Sequence, residues 1–231
     1  MEFHTWEPAY DGLLESFGYP RDGDERARDR LDELLGGHEL YDPDQLGLSG
    51  QTVAVAGAGP SLEAEADRAA DADTVFAAST AVDRLAAVGI EVDAMVTDLD
   101  KNPATGRALT DAGIPVFAHA HGDNVPAVDE HVPSYDPPFV VPTTQAAPTD
   151  VVRNFGGFTD GDRAAFVADH FGAAELTFVG WDFDDPDVAP EKREKLAWAE
   201  RLLYWLEARR GERFGVLDGR RGDIALPPGT G

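Results

Sequence analysis

The sequence predicts an α/β fold: a Rossmann-like, mostly parallel sheet with helices on both faces and a small helical cap at the N-terminus. From Gln51 onward, short runs rich in β-branched residues alternate with helical stretches, and each pair has the length of a βα unit. Before about Leu48 the apolar spacing is helical and no strand-like run occurs. We therefore expect a helical region at 1–48, a Rossmann-like domain at 49–210 and a strand and tail at 211–231.

Strands and helices are predicted to alternate along the middle of the chain. Strands are expected at 52–56, 74–78, 94–97, 115–118, 139–141 and 176–179, with a further short one at 214–217. Helices are expected after Pro60, Thr80, Pro103, Thr159 and Pro190, where Ser, Thr, Asp or Pro marks a helix start. Connections of this length favour right-handed crossovers between parallel strands. Ligands of such a sheet bind beyond the carboxyl ends of its strands.

The charge of the chain is strongly unbalanced. Its 231 residues include 44 acidic and 19 basic ones, giving a net charge of −25, and the only lysines are Lys101, Lys192 and Lys195. Repulsion of this size destabilises a folded chain at low salt and is screened within about 3 Å at 1 M salt, which predicts a halophilic protein. The same charge excludes nucleic acid as a partner, because phosphate neutralisation requires clustered Lys and Arg. A phosphate ligand would therefore need a bound metal ion to neutralise part of its negative charge.

The sequence says less about the cellular location and the oligomeric state of the protein. The chain contains no cysteine, which excludes disulfides and thiolate chemistry. No apolar run reaches the roughly 18 residues of a membrane span, and the first residues lack the basic and apolar regions of a signal peptide. We expect a cytoplasmic protein with no membrane partner. The sequence leaves the oligomeric state open, a homo-oligomer included.

The first candidate site is a glycine turn after the first predicted strand. Gly57, Gly59, Pro60 and Ser61 connect this strand to a predicted helix. Glycines permit close backbone approach, and free N–H groups at a helix start attract anions, so the turn is a candidate cradle for nucleotide phosphates. Leu62 stands where a third glycine would complete the dinucleotide-binding motif, and no Walker lysine follows. A tight βα turn without a ligand is the competing interpretation.

A second candidate site lies at the end of the third predicted strand. Asp98 and Asp100 are two residues apart, so strand alternation places both side chains on one side. Asp123 follows the next strand and adds a third carboxylate at the same edge. Hard oxygen ligands of this kind suit Mg²⁺, which also binds substrate phosphates. In so acidic a chain, solvated loop acids are the competing interpretation.

Two histidines precede the third carboxylate. His119 and His121 together with Asp123 are compatible with a transition-metal site. Alternatively, the histidines and the neighbouring Asn124 contact phosphate or orient the carboxylates of a Mg²⁺ site. Loop histidines that cap the next helix are a further alternative. Because the other histidines are scattered and cysteine is absent, we expect that the pair contacts phosphate or orients carboxylates, and that the protein carries no stoichiometric zinc.

A glycine pair opens the fourth block. Gly156 and Gly157 would let the backbone approach a substrate, and they precede Thr159, Asp160 and Asp162. Thr159 or Asp160 is expected to cap the helix that follows. The segment is a candidate substrate loop.

The last block follows the sixth predicted strand. Trp181 and Asp182 are assigned to the same substrate loop, because they too would lie at the ligand side of the sheet. Lys192 and Lys195, three residues apart on a predicted helix, are candidate phosphate contacts. Salt bridges to neighbouring glutamates are the competing interpretation of these lysines.

Five sequence blocks occur in a fixed order along the chain: 57–62, 97–100, 119–124, 156–163 and 180–183. Taken together in this order, they resemble the archaeal 6-hydroxymethyl-7,8-dihydropterin pyrophosphokinase family, and the resemblance extends over most of the chain. They are similar, more distantly, to thiamin pyrophosphokinases, whose Asp-x-Asp motif binds Mg²⁺. The resemblance implies transfer of pyrophosphate from ATP to the pterin hydroxymethyl oxygen, with release of AMP, in the biosynthesis of folate-like or methanopterin-like cofactors. It implies a catalytic domain at 49–210, with Asp98, Asp100 and Asp123 as its catalytic Mg²⁺ ligands.

Other functions are open at this point. A glycosyltransferase with an Asp-x-Asp metal site would prefer sugar nucleotides, and a nonenzymatic nucleotide-sensing module would bind ATP without releasing AMP. An NAD dehydrogenase is disfavoured, because Ser79 stands where an acidic ribose ligand is expected about 20 residues after the glycine motif.

Overall fold

The structure, a computed structural model, describes residues 1–230 and is built around a six-stranded parallel sheet. Its strands are β1 (Thr52–Ala56), β2 (Thr74–Ala78), β3 (Ala94–Thr97), β4 (Val116–Ala120), β5 (Val140–Thr144) and β6 (Glu175–Val179). In space they follow the order β5-β4-β3-β2-β1-β6, and every neighbouring pair is parallel. Because β6 lies on the far side of β1, the strand order reverses between them, and such a point opens a crevice for ligands.

Helices cover both faces of the sheet. They are α1 (Phe3–Phe17), α2 (Arg21–Leu35), α3 (Ala66–Ala70), α4 (Ala81–Ala87), α5 (Pro103–Asp111), α6 (Val125–His131), α7 (Asp160–His170) and α8 (Pro190–Arg210). Strand alternation divides the buried side chains into two cores. Val53 and Val55 of β1 face the core that contains α1, α7 and α8, while Ala54 and Ala56 face the core that contains α2. The predicted fold class is confirmed.

The two N-terminal helices lie on opposite faces of the sheet. Trp6 and Tyr10 of α1 pack into the first core, whereas Leu31 of α2 packs into the second, against β4, β5 and α6. The chain crosses from one face to the other just beyond the carboxyl end of β4. At this crossing Gly23 and Gly122 are so close that a Cβ on either residue would lie 3.3 Å from the other glycine's Cα. The helical region therefore borders the ligand side of the sheet.

Strands β1, β2 and β3 have the predicted bounds, but β4 and β5 extend farther than predicted. The extension of β4 places His119 inside the strand, where it is paired in register with Thr143 of β5. The prediction that His119 lies in a loop past the strand is therefore wrong. Backbone pairing between two strands distant in sequence decides where each one ends, and the short apolar runs did not reveal it.

Two further local predictions are wrong. The helix expected directly after Pro60 is delayed by a turn and a 3₁₀-helix, Glu63–Glu65, before α3 begins. The segment predicted as a strand at 214–217 contains a 3₁₀-helix, Gly215–Leu217, instead. Its backbone is satisfied by side chains, since Phe214 N donates to Glu207 Oε2 and Phe214 O accepts from Arg221. These bonds replace the ladder that a strand would need.

Among the described residues 1–230, no helix combines the length and the hydropathy that crossing a membrane requires.

Candidate active site

The carboxyl ends of the strands line an elongated cleft with two lobes. We define the carboxylate lobe, a cavity of about 260 Å³, by residues that follow β3, β4 and β5 and by residues of α2 and of the segment before it: Tyr19, Arg26, Asp98, Asp100, His121, Asp123 and Gln145. We define the glycine lobe, a cavity of about 270 Å³, by residues that follow β1, β2 and β6: Gly57, Gly59, Ser79, Gly180, Trp181 and Asp182. Four residues line both lobes and form a shared wall: Lys101, Thr159, Asp160 and Lys192.

A turn at Leu99 brings two carboxylates into the carboxylate lobe. Leu99 has a left-handed backbone (φ 67°), which residues other than glycine rarely adopt. Its N–H donates to Thr97 Oγ1 (3.0 Å), and its side chain is buried. Asp98 and Asp100 on either side of it both line the lobe. The two carboxylates do share one side, as predicted, but the strand ends at Thr97, so the turn rather than strand alternation is the cause.

Asp98 and Asp100 affect each other's protonation, and Asp100 N donates to Asp98 Oδ1 (3.4 Å). Burial, together with the hydrogen bond to Asp98 and the charge of that residue, raises the pKa of Asp100 to about 6. Burial also raises the pKa of Asp98, but its interactions with the neighbouring His121 and Asp100 side chains outweigh burial and hold this pKa below its ordinary value. His121 Nε2 lies 3.7 Å from Asp98 Oδ2. Two carboxylates that compete for one proton form a site where a divalent cation binds favourably.

Asn124 ties the ends of β3 and β4 together. Its Nδ2 donates to Asp98 O (2.8 Å) and His119 O (2.7 Å), and its Oδ1 accepts from His121 N (2.9 Å). The side chain is buried and lines neither lobe. These contacts make Asn124 a residue that positions Asp98 and His121, and they leave its predicted phosphate contact without support.

All three lysines of the chain line the carboxylate lobe, together with Arg26 and Arg163. Lys195 Nζ pairs with Glu191 (3.0 Å). Although part of the Lys192 side chain is exposed, burial of its ammonium group and the charge of Lys101 lower its pKa. In a chain with a net charge of −25, this concentration of cations is the strongest electrostatic feature of the site.

The shared wall is completed by Asp160 at the first turn of α7. Asp160 Oδ1 accepts from Arg163 Nη1 (3.0 Å), and Arg163 Nη2 donates to Gln145 Oε1 (3.3 Å). Burial first, and then the charge of Asp98, raise the pKa of Asp160 to about 8. At neutral pH this carboxyl group is therefore largely protonated, which reduces the negative charge that the wall presents to an anion.

The glycine turn is satisfied by the protein itself. Gly57 N donates to Val179 O (2.9 Å) and Gly59 N donates to Gly180 O (2.8 Å). Ser61 donates to Asp182 Oδ2 through both its N–H (3.0 Å) and its hydroxyl (2.8 Å). The anion that binds at the predicted phosphate cradle is thus the carboxylate of Asp182.

Close packing explains why this turn needs glycine. A Cβ on Gly57 would lie 2.6 Å from Gly180 O, and one on Gly59 would lie 2.7 Å from the same oxygen. Both glycines line the glycine lobe, whereas Pro60 and Ser61 do not. The turn therefore offers a flat backbone surface to the lobe, and its N–H groups are used to join the ends of β1 and β6.

His119 is buried and lies outside both lobes. The hydroxyl of Thr143 lies 3.3 Å from Ala118 O and 3.0 Å from His119 Nδ1; when it donates to Ala118 O it accepts from His119 Nδ1, an arrangement that favours the Nδ1–H tautomer. Within the described part of the chain, His119 Nε2 and Arg163 Nε are the two buried side-chain atoms without a hydrogen-bond partner. Burial lowers the pKa of His119 well below its ordinary value.

The segment predicted as a substrate loop is mostly structural. Gly156 and Gly157 have φ angles of +88° and +93°, and a Cβ on Gly157 would lie 2.6 Å from Arg163 Cα. The pair thus lets the loop pack against α7. Thr159 is the N-cap of α7 and forms a capping box with Asp162, which confirms the predicted cap. Thr159 lines both lobes, whereas Asp162 is fully buried.

Trp181 and Asp182 line the glycine lobe, as their predicted position implies. Trp181 Nε1 donates to Val55 O (3.0 Å), which fixes the indole ring against the end of β1. A Cβ on Gly161 would lie 2.8 Å from Trp181 Cζ2, so α7 also packs closely against this ring.

Residues of the N-terminal helices belong to the site and were not predicted. Asp24 of α2 is buried and accepts from Tyr10, Gln145 and the backbone of Gly122. These bonds join α1, α2, β4 and β5 beside the carboxylate lobe. Tyr19, between the two helices, lines the lobe as well. For Lys101 a signal did exist in the sequence, because in a chain with so few lysines each one is informative.

The three predicted Mg²⁺ ligands do not form one cluster. Among residues 1–230, no group of three His, Cys, Asp or Glu side chains is arranged to hold a metal ion. Asp123 lines the same lobe as Asp98 and Asp100, but it is exposed in the turn before α6 and thus lies at the rim. The coupled pair itself fits Mg²⁺, since it offers hard oxygen ligands whose charges are poorly neutralised.

Comparisons with known proteins agree on one family. The family model for 6-hydroxymethylpterin diphosphokinase MptE-like proteins matches residues 30–188. Relatives named 6-hydroxymethyl-7,8-dihydropterin pyrophosphokinase occur in Methanothermobacter thermautotrophicus (36% identity over 224 residues) and Pyrococcus furiosus (37% over 228 residues). These matches cover 90% of this chain and 96% and 95% of the relatives. A relative of the same name from Methanocaldococcus jannaschii is 28% identical, and the match covers 90% of this chain and 96% of that relative. The chain belongs to the 6-hydroxymethylpterin diphosphokinase MptE-like family.

Proposed function

We propose that this protein transfers pyrophosphate from ATP to the hydroxymethyl group of 6-hydroxymethyl-7,8-dihydropterin, giving the pterin diphosphate and AMP. The reaction belongs to the biosynthesis of pterin cofactors of the folate or methanopterin type. The observation that carries the proposal is the charge of the carboxylate lobe. There, every lysine of a very acidic chain lies beside a coupled pair of carboxylates. Cations attract a polyphosphate, and the carboxylates attract its metal ion.

Asp98 and Asp100 would hold Mg²⁺, and phosphate oxygens and water would complete its ligands. Asp123, the third carboxylate predicted from the sequence, lies at the rim of the same lobe. When bound, the metal neutralises charge on the β- and γ-phosphate oxygens. The residues of the shared wall act beside it: Lys101 and Lys192 place positive charge where the lobes meet, and Asp160 is largely protonated there. Such preorganised charges stabilise the transition state, because they need no reorganisation during the reaction.

The cleft also suits the geometry of the transfer. The hydroxymethyl oxygen forms a bond to the β-phosphorus, the bond from that phosphorus to the α,β-bridging oxygen breaks, and the hydroxymethyl proton is released. The attacking and leaving oxygens lie roughly in line. Acceptor and nucleotide must then approach the β-phosphorus from opposite sides. Two lobes that meet at Lys101, Asp160 and Lys192 provide room for this arrangement.

The proposal is tested by incubating the purified protein in high salt with ATP, Mg²⁺ and 6-hydroxymethyl-7,8-dihydropterin, followed by mass analysis. We expect AMP and pterin diphosphate in equal amounts. Omission of the pterin should stop AMP release, and this serves as the control. A protein that binds ATP but forms neither product would be a nucleotide-sensing module, and the proposal would be wrong.

A further inference from the structure

The two lobes differ in the number of Lys and Arg side chains that line them, and this difference bears on which substrate each lobe accepts. The carboxylate lobe adds Arg26, Arg163 and Lys195 to the cations of the shared wall, whereas the lysines of that wall are the only Lys or Arg side chains that line the glycine lobe within the described residues. After the transfer, two phosphates are on the pterin and one is on AMP. The product with two phosphates then belongs to the lobe that has more Lys and Arg side chains for its oxygens and the Asp98 and Asp100 carboxylates for its metal ion.

The glycine lobe offers what a nucleoside requires. It lies at the β1–β6 reversal, where ligands of such sheets bind. Its floor is the flat backbone of the glycine turn, and Val188 and Leu196 add apolar contacts. Asp182 uses Oδ2 for Ser61, and within residues 1–230 its Oδ1 has no hydrogen-bond partner. A carboxylate oxygen is a suitable acceptor for the ribose hydroxyls of a nucleoside.

The outer end of the carboxylate lobe offers an aromatic platform. The ring of Tyr19 stacks on Phe17 with a centroid distance of 5.3 Å and an interplanar angle of 16°. Phe17 in turn contacts Phe158, with a centroid distance of 5.2 Å. One face of the Tyr19 ring is therefore covered, while the half-buried residue still lines the lobe. A ring supported in this way is well suited to stack against a flat heterocycle.

We propose that the pterin ring stacks on Tyr19 in the carboxylate lobe, while the adenosine of ATP occupies the glycine lobe. This assignment rests on the proposed function and goes beyond it, because it makes the junction of the N-terminal helices the acceptor site. The hydroxymethyl group then points from Tyr19 toward the shared wall. The pyrophosphate stays beside Lys195, Arg163 and Asp98 after the transfer.

The test compares one residue from each lobe by steady-state kinetics. Tyr19→Ala should raise KM for the pterin by roughly 5- to 100-fold, the range for one stacked ring, and leave KM for ATP nearly unchanged. Tyr19→Phe retains the ring and should recover most of this loss. Val188→Phe, a matched change in the glycine lobe, should raise KM for ATP instead. The opposite pattern, or equal pterin KM values for Tyr19→Ala and the wild type, would overturn the assignment.

A binding measurement separates this inference from the proposed function. The fluorescence of the pterin is titrated with protein in the absence of ATP, so no turnover is needed. Wild-type protein should bind the pterin and Tyr19→Ala should bind it more weakly, even if no pterin diphosphate were ever formed. Circular dichroism of each variant in high salt checks that it is folded, and Tyr19→Leu replaces Tyr19→Ala if that variant is not. Equal pterin affinity of the folded variant and the wild type would contradict the inference.

Discussion

The two lobes of the cleft contain the two motifs that the sequence made most conspicuous, and they use them in opposite ways. In the glycine lobe, the N–H groups of Gly57, Gly59 and Ser61 are satisfied by Val179, Gly180 and Asp182. In the carboxylate lobe, burial and the neighbouring Asp98 raise the pKa of Asp100 to about 6, and all three lysines line the same lobe. The difference teaches that a motif binds a charged ligand where the protein leaves its charge unbalanced. Where the protein satisfies the motif internally, the motif shapes the wall of a pocket.

The largest effect is expected from the coupled carboxylates. Asp98→Asn or Asp100→Asn should lower kcat/KM by on the order of 10²–10⁴-fold, because a charged metal ligand contributes several kcal/mol to the transition state. Asp67→Asn, on the exposed surface of α3, is the matched control. Asp123→Asn should have a smaller effect, since Asp123 lies at the rim. Near-normal activity of both the Asp98 and the Asp100 variant would contradict the role that the comparison assigns to the carboxylate lobe.

The lysines should differ from one another. Lys192 lies in the shared wall, whereas Lys195 is already paired with Glu191. Lys192→Met should therefore reduce kcat/KM for ATP by roughly 10- to 100-fold, and Lys195→Met should reduce it less. Steady-state kinetics with varied ATP measures both variants. A larger loss for Lys195→Met would place the β-phosphate away from the wall between the lobes.

A side chain introduced at the glycine turn should lower the stability of the protein and leave phosphate binding unchanged. Gly59→Ala forces a Cβ toward Gly180 O and should lower the free energy of unfolding by about 1–3 kcal/mol. Gly215→Ala is the matched control, because a Cβ there meets nothing within 4 Å. Thermal unfolding in high salt compares the two variants. A folded Gly59→Ala protein of unchanged stability but weaker ATP binding would show that the turn does contact phosphates.

The smallest effect concerns His119. Its pKa is held well below 6.5 by burial, so the neutral ring contributes stability above pH 6.5 that is lost as the pH falls below it. The loss is at most about 1.4 kcal/mol per pH unit. Nitrogen-15 NMR should show the Nδ1–H tautomer and no titration between pH 6 and 8. A midpoint near 6.5 would mean that the ring is accessible and able to reach the carboxylate lobe.

Much of the fold could be predicted from the sequence because its signals are local. Strands β1, β2 and β3 are short apolar runs bounded by turns, and Thr159 carries a complete capping box with Asp162. The position of the candidate carboxylates at a strand end was predicted for the same reason. The expected salt requirement also derives from composition alone and stays a prediction, which full folding in a salt-free buffer would contradict.

The rest depends on contacts between residues that are distant in the sequence. Ser61 and Asp182 meet across 121 positions, and this contact, together with the bonds from Gly57 and Gly59 to the end of β6, joins the predicted phosphate cradle to the rest of the sheet. His119 is buried because β5 places Thr143 beside it. Tyr19 reaches the site because α1 and α2 lie on opposite faces of the sheet. No local pattern encodes these pairings.

Metal binding tests the central claim most directly, because that claim concerns the unbalanced charge of Asp98 and Asp100. Mn²⁺, a paramagnetic stand-in for Mg²⁺, is titrated into the protein and followed by electron paramagnetic resonance, with and without ATP. We predict tight binding of Mn²⁺ in the presence of ATP, and loss of this binding in Asp98→Asn and Asp100→Asn while Asp67→Asn behaves like the wild type. Equal Mn²⁺ binding by the wild type and by both central variants would contradict the account.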